Sequence, residues 1–289
     1  MQETMERAKA EVVVRPDTYS TILVHAEPGL AASRRVEAAG RLARDLDATL
    51  VGLGAETFDL VPPGDPFMGY AASEWVALVQ EEVDKELRGA EAAFRRDAAG
   101  AQLEWRSVQD YPHRALARLA GLADLIVVSP RGAGGAARTA DPADVVMAAG
   151  RPVLVVPEGR HHLRGRTVVV AWKNTRECRR AINDAMSFLQ RADDVVVHAV
   201  VKSEDADAAV FETDDVVANL RRHGVEARPL VTSATPEGVA DELERVASLN
   251  EADLIVCGAY GHGRLREWAF GGVTDAFTRR PARFVLMTH

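Results

Sequence analysis

At 289 residues with a formal net charge of −8, 47% hydrophobic and 27% charged residues, the chain has the balance of an ordinary globular protein. The acidic excess argues against a general nucleic-acid binder, although one anionic small molecule in a local pocket stays compatible with it. The length suits two domains rather than one.

No apolar run approaches the roughly 18 residues that span a bilayer, so no membrane partner is expected. The first stretch, with Glu3, Glu6 and Glu11, lacks the apolar core of a signal peptide. Cys178 and Cys257 are the chain's two cysteines, too few for a disulfide framework, and reduced thiols are expected. A cytoplasmic location follows as an expectation.

In chain order, residues 1–18 read as an extension ahead of the first strand, Thr21–Ala26. Ser33–Asp45 places Val36, Ala39, Leu42 and Ala43 on one helical face, and Ala48–Ala55 is a second strand. Residues 56–75 form a Pro/Gly-punctuated loop holding Phe58, Phe67, Met68, Tyr70 and Trp75, ahead of a long helix to about Ala99. The strand Leu103–Val108, helix Pro112–Gly121, strand Asp124–Ser129, a glycine-rich loop, helix Pro142–Ala149 and strand Val153–Val156 complete this half.

Gly159–Arg166 is a basic linker, and its adjacent His161 and His162 read as solvated residues rather than metal ligands. Beyond it come strand Arg166–Trp172, helix Glu177–Leu189 and strand Asp193–Val201. Helix Thr213–Arg222, strand Val225–Val231 and helix Pro236–Ser248, with Thr235 as its N-cap, follow. The strand around Leu254–Cys257 and a last strand, Arg283–Met287, end the chain.

The two series are one unit written twice. ADLIV occurs at Ala123–Val127 and at Ala252–Val256, and each copy is followed by Arg-Pro and an apolar strand. Ala123 to Arg151 and Ala252 to Arg280 are both 28 residues apart. The first copy is longer by about 18 residues, an excess that falls near Phe58–Trp75; it reads as cover for a core edge, with a lid or a dimer contact as the alternative. The domains are therefore 19–158 and 167–289, with 159–166 between them. Strands alternating with helices imply two tandem open, doubly wound parallel five-stranded sheets with helices on both faces, an α/β class.

Ligands in such sheets bind where strand order reverses, beyond the carboxyl ends of the strands. In the second copy the strand ending at Cys257 runs into Gly258, Gly261 and Gly263, then Gly271–Gly272 at a helix start. Glycines let backbone N–H groups converge on an anion, and a helix N-terminus adds unpaired donors and a positive dipole end. The loop after the first strand of the same copy, Trp172-Lys173-Asn174-Thr175, should face it.

Gly258-x2-Gly261-x9-Gly271, with Gly272 and Thr274 after it, resembles the universal stress protein motif G-x2-G-x9-G-(S/T). The order of elements and the tandem arrangement resemble that family too, from about residue 20 to the end. The resemblance implies an adenine-nucleotide α-hydrolase-like fold and a stress-response module that binds ATP, with magnesium, or another phosphate-bearing ligand. Carried over by position, Gly258, Gly261, His262, Gly263, Arg264, Gly271, Gly272 and Thr274 are the phosphate side, and Trp172 and Lys173 the nucleoside side.

Two positions depart from the pattern. Gly272 stands where a hydroxyl is usual, and Lys173 where an aspartate is, and a lysine accepts no hydrogen bond from a ribose or a base. Glu267 and Asp275 oppose an anion, while Arg264 and Arg266 favour one.

Aligned on ADLIV, Gly271 of the second copy matches Pro142, Gly272 matches Ala143, Thr274 matches Val145 and Phe270 matches Asp141. Asp141-Pro142 is an N-cap and N1 pair that satisfies its own helix, so no nucleotide is expected in the first copy. The family resemblance also implies pairing through the last strand of each unit, so Val153–Val156 and Arg283–Met287 would join the halves as an internal pseudo-dimer; a homodimer is a further expectation.

No catalytic set stands out: G-x-S-x-G, H-E-x-x-H, C-x-x-C and a Walker lysine loop do not occur. His25, His113, His198 and His223 are scattered singly and read as surface or packing residues. No metal site and no required cofactor are expected. The competing readings are a nucleotide-free scaffold acting through protein contacts and a weak ATPase.

Overall fold

The computed structural model describes residues 19–57, 69–132, 139–160, 162–236, 238–261 and 272–289, with side chains from residue 74 onward in the second of these segments. The first half runs β1 (Thr21–His25), α1 (Leu30–Leu46), β2 (Thr49–Glu56), α2 (Gly69–Asp97), β3 (Gln102–Gln109), α3 (Pro112–Leu119), β4 (Leu125–Val128), α4 (Pro142–Ala149) and β5 (Val153–Val155). The second runs β6 (Thr167–Trp172), α5 (Arg176–Asp184), α6 (Met186–Leu189), β7 (Asp194–Val201), α7 (Ala206–Arg222) and β8 (Ala227–Ser233). It closes with α8 (Val239–Leu249), β9 (Leu254–Gly258), α9 (Gly272–Arg279) and β10 (Phe284–Thr288).

Each half is a five-stranded parallel sheet whose order reverses between its first and fourth strands, β1/β4 and β6/β9. The two sheets join edge to edge into one, in the order β3-β2-β1-β4-β5-β10-β9-β6-β7-β8. The join is antiparallel, with Val153 opposite Met287, Leu154 opposite Leu286 and Val155 opposite Val285. All six side chains are buried. Strands apolar on both faces would be poor open edges, and pairing with each other removes both edges at once.

Helices cover both faces. Val36, Ala39 and Leu42 of α1, Phe94 of α2, Ile182 of α5 and Val217 of α7 share one core layer with Ile22, Val24, Val168 and Val170. Leu116 of α3, Val146 of α4, Leu243 of α8 and Phe277 of α9 share the opposite layer with Leu23, Ile126, Val169 and Ile255. Alternate residues of one strand thus feed opposite layers, as the period of two requires.

Boundaries differ from the sequence reading where a tertiary contact or a backbone angle intervenes. The helix expected over Glu177–Leu189 breaks at Ala185 into α5 and α6. The Tyr19 hydroxyl donates to the Asp184 carbonyl, and the Phe188 N–H, which would serve that carbonyl in a continuous helix, bonds Ala185 instead at 2.8 Å. α8 starts at Val239 rather than Pro236, because Gly238 has φ 124°, outside helical space, and Thr235 does not cap it. α2 already begins at Gly69, inside the stretch read as loop; residues 58–68 of that stretch lie outside the described residues. The segment between the halves is tied down: Leu163 is buried, and the Arg164 and Gly165 N–H groups donate to the Asp253 carboxylate at 2.7 and 3.1 Å. Among the described residues no helix is long and apolar enough to cross a membrane.

Candidate functional site

In the second half the strand order reverses between β6 and β9, and the residues directly after those strands, 173–175 and 259–261, come together there. β6 ends at Trp172 and passes through exposed Lys173 and Asn174 to Thr175, the N-cap of α5. The Thr175 hydroxyl oxygen accepts from the Cys178 N–H at 3.4 Å. The first turn of α5 lies directly against the end of β9. A Cβ on Gly258 would stand 2.6 Å from the Cys178 nitrogen and 2.8 Å from the Glu177 carbonyl carbon. A Cβ on Gly261 would stand 3.1 Å from Glu177 Oε2 and 3.3 Å from Thr175 Oγ1. The backbone of α5 leaves no room for a side chain at Gly258, whereas at Gly261 the Glu177 and Thr175 side chains would have to give way by a few tenths of an ångström.

Glu177 thereby enters the site, and sequence reasoning gave it no role there. Only 3% of its surface is exposed. Burial works against its charge, but hydrogen bonds from Arg176, its own N–H and Thr175 hold the carboxyl below the usual range, so it is ionised at neutral pH. Trp172 is buried in the layer that contains α5, and its indole N–H has no hydrogen-bond partner among the described residues.

The opposite wall is the start of α9. Among the described residues, no atom lies within 4 Å of a methyl group added at Gly272. Thr274 is buried, and its hydroxyl oxygen receives the Tyr260 N–H in a long 3.5 Å contact. Tyr260 itself sits at φ 57°, a left-handed conformation that turns the chain after β9. His262, Gly263, Arg264 and Gly271, together with Arg266 and Glu267, lie outside the described residues. Asp275, which opposes an anion on sequence grounds, is paired with Arg279 at 2.8 Å and faces Arg131 of the first half at 3.5 Å.

The first half offers the same place in a different state. Val24 faces Val127 across β1 and β4 as Val170 faces Val256 across β6 and β9, so these strand pairs match in register between the two halves. On this alignment Glu27 stands where Lys173 is, Ser129 where Gly258 is, and Arg35 where Ala181 is. Arg35, 2% exposed, reaches from α1 across the carboxyl ends of β1 and β4. It donates to the His25 carbonyl at 2.9 Å and to Ser129 Oγ at 2.7 Å, and it pairs with Glu27. His25 Nδ1 lies 2.9 Å from the same Glu27 carboxylate. Burial alone would raise the Glu27 pKa, yet Arg35 and then His25 bring it down to about 2.

The anion end of the first half is closed as well. Asp141 caps α4 by accepting from the Ala143 N–H at 2.9 Å, Pro142 occupies the first helical position, and Arg131 binds the Asp141 carboxylate at 2.7 Å. An entering phosphate would meet a carboxylate already using those donors.

A further buried polar group lies under α8. Nε2 of His198, which is fully buried, is 2.8 Å from Thr232 Oγ1. Thr232 in turn bonds Glu242, a carboxylate that can only accept, so the Thr232 hydroxyl receives the proton of His198 Nε2. Burial, opposed by Glu242 and aided by Arg245, lowers the His198 pKa to about 4. His25 and His198 are thus bonded core residues, whereas His223 is exposed. Among the described residues no group of three or more His, Cys, Asp or Glu could hold a metal ion.

The structure brings Trp172, Lys173, Gly258 and Gly261 to one end of the sheet, with Gly272 and Thr274 at the head of α9. It adds Glu177, Arg35, Glu27 and Arg131, which the motif did not single out. One signal was readable: Arg35 falls within the Ala32, Val36, Ala39 stripe of α1, where a charge has to find a buried partner.

Residues 165–289 match the universal stress protein family. Across the whole chain the fold is similar to the crystal structure of a universal stress protein from Archaeoglobus fulgidus DSM 4304, with TM-score 0.62 and 16% identity, covering 93% of this chain and 95% of that one. It is also similar to a functionally unknown protein from Pseudomonas aeruginosa PAO1, with TM-score 0.55 and 16% identity, covering 93% and 92%. At such identities the likeness speaks for the fold. No curated protein matches the chain in sequence.

Proposed function

We propose, from the match of residues 165–289 to the universal stress protein family and the whole-chain likeness in fold to a universal stress protein, that the chain is a cytoplasmic stress-response module that binds one phosphate-bearing ligand in its second half. The ligand class favoured is a nucleotide such as ATP with magnesium. The first half acts as a closed structural copy.

One contrast carries this reading. At the reversal of strand order the first half holds a buried guanidinium, Arg35, bound to Ser129, Glu27 and the His25 carbonyl. The second half has Ala181 and Gly258 in the places of Arg35 and Ser129, so among its described residues there is no counterpart of that guanidinium bridge. Gly272 and the first N–H groups of α9 supply donors for phosphate oxygens, and exposed Lys173 supplies a positive charge at the mouth. Lys173 cannot accept a hydrogen bond from a ribose, so the sugar is held by other groups than the family pattern implies. The module binds rather than catalyses.

Thermal unfolding with and without Mg-ATP tests this: a ligand at 100 times its Kd stabilises the folded state by about 2.7 kcal/mol. Glu177 favours a second reading, a nucleotide-free scaffold, because its ionised carboxylate lies against Gly261, where it repels an anion. No stabilisation of the wild type at millimolar Mg-ATP, and none of Lys173→Asp, selects the scaffold.

A further inference from the structure

Among the described residues the ten-stranded sheet has two unpaired edges, and they are not alike. β8 carries Pro229 opposite Val197, and a proline has no N–H to offer a further strand. β3 holds no proline. All eight of its residues, Gln102 to Gln109, are in register with β2 on one side, and no strand among the described residues pairs along the other. Every second residue of such an edge turns its N–H and C=O outward, ready to continue the ladder.

The residues at the middle of β3 say what would fit. Glu104 and Arg106 flank Trp105 on one face, are 51% and 49% exposed, and bond each other along the strand at 3.1 Å. Trp105 points to the other face, where its ring lies 5.5 Å from that of Phe94 on α2. An edge guarded by one sign of charge repels a second copy of itself; an edge with a carboxylate and a guanidinium placed evenly about a central residue does the opposite. The chain already joins two of its own edge strands antiparallel, at β5 and β10.

We propose that β3 is the interface for a second copy of this chain, the two β3 strands pairing antiparallel about a two-fold axis at Trp105. In that register Glu104 of each copy lies opposite Arg106 of the other, Leu103 opposite Ser107, and Gln102 opposite Val108. The two Trp105 side chains become direct cross-strand neighbours on the face covered by α2. Opposite charges directly across a ladder stabilise it and like charges destabilise it, so two such pairs set both the register and the choice of partner. The sheet then runs unbroken through both copies, and the proline-bearing β8 edges remain outermost.

Sedimentation equilibrium of the full chain tests this. The wild type is expected to be dimeric. Arg106→Glu sets two carboxylates against each other in each of two symmetric pairs, and Glu104→Arg sets two guanidinium groups; each single change raises the dimer Kd by about tenfold or more. The double change Glu104→Arg/Arg106→Glu restores complementarity and returns the Kd to the wild-type range. Both positions are solvent-facing, and circular dichroism confirms that each variant is folded. A monomeric wild type at its highest soluble concentration overturns the proposal. So does a dimer that neither single change weakens, or a pair of weakened singles that the double change does not rescue.

Discussion

Replacing Arg35 with methionine tests how the first half is closed. The substitution keeps most of the side-chain volume and removes the guanidinium, leaving Glu27 buried with His25 as its remaining partner. Stripping one member from a buried pair costs about 3–5 kcal/mol, because the other charge is left uncompensated. The pKa gives an independent figure. A Glu27 carboxyl at about 2 in the fold, against 4.5 ordinarily, corresponds to about 3 kcal/mol of stability at neutral pH. The folded pKa is depressed, so this contribution is complete above pH 4.5 and is lost as the pH falls toward 2. Equilibrium urea unfolding across that range should show Arg35→Met about 3–5 kcal/mol less stable at pH 7, with a shallower decline in acid. Arg35→Met/Glu27→Gln should recover at least half of the loss. A loss under about 1 kcal/mol, or an acid profile equal to that of the wild type, refutes the reasoning.

His198 predicts a second, separate pH window. Its folded pKa of about 4 lies below the ordinary 6.5, so stability should decline by about 3 kcal/mol as the pH drops from 6.5 through 4. His198→Phe should flatten that decline and leave the one below pH 4.5 intact; an unchanged profile would mean that the imidazole takes up its proton in the fold as readily as in the unfolded chain. Gly258→Ala, which forces a methyl onto the α5 backbone, should cost about 1–3 kcal/mol by urea unfolding. Gly272→Ala, where no described residue comes within 4 Å, should stay within about 0.5 kcal/mol, and equal costs for the two would contradict the packing of α5 on β9.

The fold was legible because its signals are local and repeated. Unbroken apolar runs such as Leu254–Cys257 admit few readings other than a buried strand, and the ADLIV repeat carried the order of elements from one half to the other. Asp141-Pro142 was legible for the same reason: a cap is a contact between neighbours in sequence, and α4 begins where those two residues say it should. What the residues did not disclose depends on distant partners. The break at Ala185 needs Tyr19, 165 residues away from Asp184. Arg35 could be seen within an apolar stripe, but Ser129, which completes its contacts, is 94 residues off. Glu177 was legible only as the start of a helix, and only the fold shows that the α5 turn carrying it lies against Gly258 and Gly261.

The central claim is that ligand binding belongs to the second half alone. Isothermal titration of the full chain with Mg-ATP measures it most directly. One site per chain is predicted, with Gly272→Pro weakening it by about tenfold or more, since a proline is tolerated in the first turn of α9 but removes an N–H donor. Arg35→Met should leave the site count at one. No binding, or two equivalent sites per chain, would contradict the account.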